Sequence, residues 1–188
     1  MHLVAVAHVI TPSWNMSRQV VRQFRDAISW HRWSVDDFRA NGTQKEARAF
    51  WMGVLARASL KELRAALSLA QVELPTVDVV KAAETGTLML EGRAGGGGQR
   101  FNTGEATMTR CVVRSGETLG FSYALGRDKD KAMLAATLDC LLQDEERRGH
   151  VMSKVIQPLA DLQRRKRETE SRRAAATKVE FFTMVRGD

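Results

Sequence analysis

Apolar residues recur along this chain with two different periods. Between about residues 43 and 71 they follow helical spacing, between about residues 87 and 125 they alternate with polar or small residues, and from about residue 129 helical spacing returns. The first and third patterns predict helices, and the middle one predicts strands. Because the strands are consecutive, we expect an α+β fold in which helices pack on an antiparallel sheet.

Two capping signals mark the starts of the first helices. Thr43 with Glu46, and Ser59 with Glu62, each place a hydroxyl before a helix and a carboxylate three positions later. In this arrangement each side chain can bind the backbone N–H of the other residue. The apolar face of the first helix should be Phe50, Trp51, Val54 and Leu55.

The strand pattern is clearest in three segments. Residues 87–93 and 105–114 have the composition of strands, and residues 119–125 alternate large apolar side chains with small ones. A turn at residues 115–117 joins the last two, which predicts a hairpin with one apolar face. In its second strand that face should carry Leu119, Phe121, Tyr123 and Leu125.

The helical pattern after the strands should begin at Asp128, a natural N-cap, and end at Gly149. Pro158 lacks an amide hydrogen, so it should mark a kink or the first turn of a new helix. The later half of that helix is mostly charged.

The two ends of the chain differ from the middle. Residues 1–42 hold three of the four tryptophans and a helical stripe near residues 17–31, so we expect a helical N-terminal extension, to which we assign no function. Residues 43–188 should form one domain, since the length suits a single core. Its last segment, about residues 178–188, should be an extended tail.

The tail is predicted to be an assembly element, formed by Phe181, Phe182, Met184, Val185 and Arg186. Leaving the two phenylalanines in water would forgo about 1.5 to 3 kcal/mol for each. The tail should therefore add a strand either to its own sheet or to another subunit.

Charge is unevenly distributed. The formal net charge is +7, and residues 147–178 alone contain ten basic and three acidic residues. Such a run is either a solvated helix face or a docking surface, and the overall excess favours an anionic partner.

Cysteine and histidine positions argue against a metal centre. Cys111 and Cys140 fall in a predicted strand and on a predicted buried helix face, so they should be core thiols, which suits the cytoplasm. The four histidines are scattered, and no apolar run reaches the length of a membrane span. We therefore expect no bound metal and no membrane segment.

Two places could bind an anion. The glycines at positions 95–98, flanked by Arg93 and Arg100, form either a phosphate cradle or a flexible connection between strands. Farther along, Arg127 and Lys129 flank Asp128 at the predicted start of a helix, where backbone amides also favour anions; they either contact a ligand or partner or are exposed charges beside a simple cap. Candidate ligand or partner residues are Arg93, Gly95, Gly96, Gly98, Arg110, Arg127, Asp128 and Lys129. The pattern supplies no nucleophile with a base, so no catalytic residue is assigned.

An ordered series of short motifs resembles the PhnG family, a small subunit of the bacterial carbon-phosphorus lyase core complex. The series covers about residues 47–188, and Gly97 and Lys131 stand where some relatives have threonine and histidine. Its motifs are Phe50–Met52, Val54–Ala56, Ala82–Gly86, Gly95, Gly96, Gly98, Phe101, Gly104–Thr107, Thr109, Arg110, Leu119, Gly120, Gly126–Lys129 and Phe181–Asp188.

The resemblance implies a role in phosphonate metabolism. Family members assemble with PhnH, PhnI and PhnJ, and PhnI, supported by PhnG, PhnH and PhnL, forms ribose 1-methylphosphonate 5-triphosphate from ATP and methylphosphonate with loss of adenine. The resemblance thus implies an accessory transferase subunit that holds no cofactor alone, with ATP and Mg as substrate and ion of the complex. A basic nucleic-acid-binding module is the alternative, because of the cationic region at 147–178.

Overall fold

The computed structural model describes residues 6–8, 44–93 and 98–177. The expected helix at 17–31, the Thr43 cap and the C-terminal tail lie outside these residues. The helices are α1 Gln44–Arg57, α2 Leu60–Ala70, α3 Lys129–Gln143, α4 Glu145–Val151 and α5 Gln157–Ala176. The strands are β1 Val6–His8, β2 Asp78–Arg93, β3 Arg100–Ser115 and β4 Thr118–Leu125.

The sheet is antiparallel throughout, with strand order β1-β2-β3-β4. The ladder between β2 and β3 runs from Asp78 opposite Arg114 to Arg93 opposite Arg100. In contrast, β4 pairs only with residues 108–115 of β3. The predicted α+β fold is confirmed, and the β2–β3 hairpin extends well beyond β4.

Both strands of this hairpin are longer than the sequence pattern predicts, since β2 begins at Asp78 and β3 begins at Arg100. Register shifts interrupt β2 between Val79 and Lys81 and between Lys81 and Glu84. Each shift breaks the alternation of side chains, and alanine, lysine and glutamate are poor strand formers. Pairing with β3 holds this segment extended nonetheless, so tertiary contacts outweigh its local preference.

The helices build the largest part of the core. Trp51 and Leu55 of α1, Leu63 of α2, Leu138 of α3 and Ile156 are almost fully buried in one cluster. The expected face of α1 is confirmed, with Phe50 packed against the same cluster. Helix α3 lies between these helices and the sheet, which it contacts along β2, β3 and β4.

The face of β4 that meets α3 is opposite to the predicted one. Gly120, Ser122 and Ala124 are buried, whereas Leu119 and Leu125 are 40% and 62% exposed. Of the predicted face, Tyr123 is buried in a smaller cluster with Leu88 and Met108, and Phe121 packs against that cluster. A Cβ atom on Gly120 would lie 2.2 Å from the carbonyl oxygen of Ala136. The helix therefore approaches the sheet so closely that only small side chains fit between them.

The chain after α3 also differs from the prediction. Helix α3 ends at Gln143, and Asp144 caps α4 by accepting a hydrogen bond from the backbone of Glu146 at 3.0 Å. Gly149 lies inside α4, so the prediction that it ends a helix was wrong. A π-helical turn, Met152–Ile156, leads into α5. Pro158 lies in the first turn of α5, which is one of the two arrangements that the sequence predicted for it.

Candidate functional site

The turn before α3 is fixed to the sheet by hydrogen bonds. Gly126 has φ +96°, a conformation that favours glycine, and its N–H donates to the Thr107 carbonyl at 2.8 Å. The hydroxyl of Thr109, which is fully buried, donates to the Gly126 carbonyl at 2.7 Å and lies 3.0 Å from the Thr85 hydroxyl. This turn presents the start of α3 at a defined position.

The first residues of α3 carry the predicted cations. Asp128 is the N-cap, as predicted, because its carboxylate accepts a hydrogen bond from the Lys131 backbone at 2.9 Å. Arg127 and Lys129 on either side are exposed. The structure therefore places two cations beside the amides of a helix N-terminus, where the helix dipole favours an anion.

Lys131 lies behind this turn and was given no role by the sequence. Only 9% of it is exposed, and its ammonium group donates to the Ala56 carbonyl, in the last turn of α1, at 2.7 Å. Burial lowers the pKa of Lys131, and the negative charges of Asp128 and Glu62 oppose that shift. This hydrogen bond joins the start of α3 to the end of α1. In the sequence, the only hint of this role was the position of Lys131 next to the buried face of a predicted helix.

A compact ionic cluster sits at the start of α2. The predicted capping box is confirmed: Ser59 and Glu62 exchange hydrogen bonds, and Lys166 of α5 donates to Glu62 at 2.5 Å. The Lys166 bond and then the Ser59 backbone bond lower the pKa of Glu62 to about 2. The carboxylate therefore stays ionised in the folded protein over almost the whole acidic range.

Glu62 should make stability depend on pH in one window. Its pKa is about 2 in the folded state against an ordinary 4.5, so its contribution is complete above pH 4.5 and is lost as pH falls towards 2. We expect Glu62→Gln to lower the melting temperature at pH 7, and the difference from the native chain to shrink between pH 4.5 and 2. Thermal melts at several pH values measure this. Glu73→Gln is the control, because Glu73 is exposed and forms no ion pair among the described residues; a gap for Glu62→Gln that stays constant down to pH 2 contradicts the assignment.

Arg110 lies on the sheet, within a charged triad. Its guanidinium donates to Glu84 on β2 at 2.6 Å, and Lys81 pairs with the same carboxylate at 3.2 Å. Burial raises the pKa of Glu84, but the bonds from Arg110 and Lys81 outweigh it and hold that pKa below its ordinary value. Because neighbouring strand residues point to opposite faces, Arg110 faces away from the side on which Thr109 binds the turn.

The glycine-rich end of the hairpin is remote from the turn. Gly98 is described and exposed, Gly95 and Gly96 lie outside the described residues, and only the backbone of Arg93 is described. Thr107, which contacts Gly126, is seven residues along β3 from Arg100 at the hairpin end, or about 23 Å of extended strand. The described residues thus do not join the two predicted anion sites, and each stays a separate prediction.

A buried polar centre surrounds Asp139 of α3, and the sequence analysis missed it. Its carboxylate is fully buried and accepts hydrogen bonds from the Trp51 indole at 2.8 Å, from Arg48 at 2.6 Å and from the Phe121 backbone at 2.9 Å. It thereby connects α1 to α3 and provides an acceptor for one backbone N–H on the outer edge of β4. An acidic residue within the apolar run of α3 was the available signal.

Other ionisable groups have structural roles. Cys111 and Cys140 are buried free thiols, as predicted for core residues, and burial raises the pKa of each. Among the described residues no group of three histidine, cysteine or acidic side chains could hold a metal ion. In the same part of the chain, every helix is too short or too polar to cross a membrane.

Two comparisons relate the chain to known proteins. A family model described as "Phosphonate metabolism protein PhnG" matches residues 46–187. A protein of Rhizobium meliloti (strain 1021), named alpha-D-ribose 1-methylphosphonate 5-triphosphate synthase subunit PhnG, is 45% identical over 139 residues. That match covers 73% of this chain and 87% of the relative.

Proposed function

The chain belongs to the PhnG family of phosphonate metabolism proteins, and from this premise we propose that it is the PhnG subunit of an alpha-D-ribose 1-methylphosphonate 5-triphosphate synthase. The observation that carries the proposal is the 45% identity to a protein of that name along most of both chains. In the proposed reaction ATP and methylphosphonate combine and adenine is released, as a step of organic phosphonate catabolism.

The role we propose is accessory. Displacing adenine from the sugar requires protonation of the leaving base and stabilisation of positive charge at the anomeric carbon. Three carboxylates of this region, however, already have structural partners: Asp128 caps α3, Glu62 binds Ser59 and Lys166, and Glu84 binds Arg110 and Lys81. The main chemical groups of the reaction should therefore lie on another subunit, which we take to be PhnI.

The contribution of this chain would be to position the anionic substrate. Arg127 and Lys129 stand exposed beside the first amides of α3, a setting that suits a triphosphate bound together with Mg²⁺ in the assembled complex. No cofactor needs to be held by this chain alone. Association with PhnI, PhnH and PhnJ, functional dependence on PhnL and a cytoplasmic location complete the proposal.

Reconstitution of the synthase tests this function. We expect the other subunits without this chain to lose nearly all activity, the pure chain alone to have none, and the mixture to recover it. A chain that ends at Thr177 lacks the predicted assembly tail with Phe181 and Phe182, and should copurify poorly with PhnI. Release of adenine from ATP, dependent on methylphosphonate, is the measurement, and gel filtration reports assembly.

Different outcomes point to different errors. Full activity of the other subunits without the chain, or turnover by the pure chain, would remove the accessory role. Unchanged copurification of the chain that ends at Thr177 would remove the tail from assembly and leave the function intact. Salt-sensitive nucleic-acid binding by the isolated chain, with no association with PhnI, would favour the nucleic-acid-binding alternative.

A further inference from the structure

The outer half of α5 projects without a buried face. The helix is 20 residues long, or about 30 Å, and Leu159 near its start is its one buried residue. Every residue from 164 to 177 is exposed. A helix segment that is exposed on all sides gains little from packing on its own domain, and short helices are marginal in water when isolated.

The attachments of α5 to the rest of the protein stop halfway along it. Gln163 donates to the Val54 carbonyl at 2.9 Å and accepts from Arg57 at 3.1 Å, and Lys166 binds Glu62. In the described part of the chain, no residue of α5 beyond Lys166 has a hydrogen bond or ion pair with another element. The last ten residues of the helix form an arm that leaves the body of the protein.

Several cations in the outer half of α5, residues 164–176, have no ion-pair partner among the described residues. Arg164 pairs with Asp161 and Glu168 along the helix, but four arginines form no ion pair with any described residue: Arg165, Arg167, Arg172 and Arg173. Arg165 and Arg172 are seven positions apart, so they lie on the same side of the helix about 10 Å from each other. A spaced pair of this kind can engage two acidic groups at once.

Two guanidinium groups also lie near each other where the arm leaves the body of the protein. Arg57, at the end of α1, is exposed but donates to Gln163 of α5, and partial desolvation and then the charge of Arg167 both lower its pKa. Repulsion between two guanidinium groups is a cost of the isolated fold. An anionic partner placed beside them would offset it.

We propose that residues 164–176 form a docking surface for an acidic surface of another protein subunit, with Arg165 and Arg172 as its central contacts. The inference rests on the proposed function, since it takes the partner to be a subunit of the synthase. Two features favour protein over nucleic acid. First, Glu168 and Glu170 lie among the cations, and these two carboxylates would repel phosphates but can fix the register of a protein interface. Second, residues 164–176 include no aromatic side chain on which a base could stack.

Charge reversal in the full-length chain tests the surface. We expect Arg165→Glu with Arg172→Glu to weaken binding to the other synthase subunits by about tenfold or more at about 0.1 M salt, and to flatten the dependence of binding on salt. Lys61→Glu with Arg64→Glu is the matched control, because both residues are exposed on α2 and the charge change is the same. Its affinity should stay near that of the native chain, and circular dichroism confirms that both variants fold.

The outcomes separate this proposal from the proposed function. If the native chain joins the synthase and the Arg165 and Arg172 variant binds equally well, the docking surface is wrong and the function stands. If the native chain does not join the other subunits at all, both fail. Binding of a short RNA or duplex DNA that is lost in this variant, with subunit binding unchanged, would reassign residues 164–176 to nucleic acid.

Discussion

Replacing Asp139 by alanine is expected to lower the free energy of unfolding by about 3 to 5 kcal/mol, the usual cost of removing one partner of a buried ion pair. Three donors from different elements converge on this carboxylate: Arg48, Trp51 and the Phe121 backbone. Without the carboxylate, these three donors remain buried or half-buried and lose their hydrogen-bond acceptor. Since domains of this size are stable by only about 5 to 15 kcal/mol, this loss is a large fraction of the total stability.

Urea unfolding of purified variants measures the effect. Asp139→Asn keeps the shape of the side chain but loses its charge, so we expect a smaller loss of about 1.5 to 3 kcal/mol, the worth of a hydrogen bond to a charged group. Asp130→Ala, at an exposed position on the same helix, should change stability by about 0.5 kcal/mol or less. An Asp139→Ala chain as stable as the Asp130→Ala chain would show that the network contributes nothing.

Trp51 provides an independent check on the network. Trp51→Phe removes the indole N–H that donates to Asp139 while keeping most of the aromatic volume. In a double-mutant cycle with Asp139→Asn, the two losses should not add, with a coupling of about 0.5 to 3 kcal/mol. Strict additivity would mean that the two side chains stabilise the fold separately.

Features that depend on neighbouring residues were predictable from sequence. The Ser59 and Glu62 box and the Asp128 cap follow from the chemistry of three or four consecutive positions, and both are confirmed. The order of helices and strands follows from hydrophobic period in the same way. Local rules therefore gave the α+β class without any knowledge of tertiary contacts.

Features that depend on how elements approach one another were not predictable. Alternation in β4 shows that the strand has two faces, but it cannot show which face a helix will cover. The large residues suggested the core, yet α3 packs on Gly120, Ser122 and Ala124, where Gly120 leaves room for the Ala136 carbonyl. Asp139 was missed for a related reason, because its donors come from positions 48, 51 and 121.

The candidate site shows the same division. The cations at the start of α3 were placed correctly because the cap is a local signal. The sequence could not show that the glycine end of the hairpin lies about 23 Å away along β3, since that separation depends on the register of the strands. At that separation the two places would bind an anion independently.

Replacing Arg127 by alanine is expected to lower kcat/KM of the reconstituted synthase for ATP by about 10 to 100-fold. Arg127 is exposed next to the capped N-terminus of α3, so it is available to a triphosphate once the complex forms. A hydrogen bond to a charged group contributes about 1.5 to 3 kcal/mol, and each 1.4 kcal/mol corresponds to about tenfold. The fold should be unchanged, because Arg127 has no hydrogen bond or ion pair with another described residue, and activity should fall more than assembly.

Two further variants separate positioning from general charge. Arg127→Lys keeps the cation but loses the planar pair of donors, so it should recover part of the activity, whereas Arg64→Ala removes an exposed cation of α2 and should leave activity near the native value. Adenine release over a range of ATP concentrations gives KM and kcat separately. Loss of a contact made equally to the bound substrate and to the transition state should raise KM and leave kcat unchanged, whereas loss of a contact that is stronger in the transition state should also lower kcat. Full activity of Arg127→Ala in an intact complex would place the triphosphate elsewhere and leave membership of the synthase unaffected.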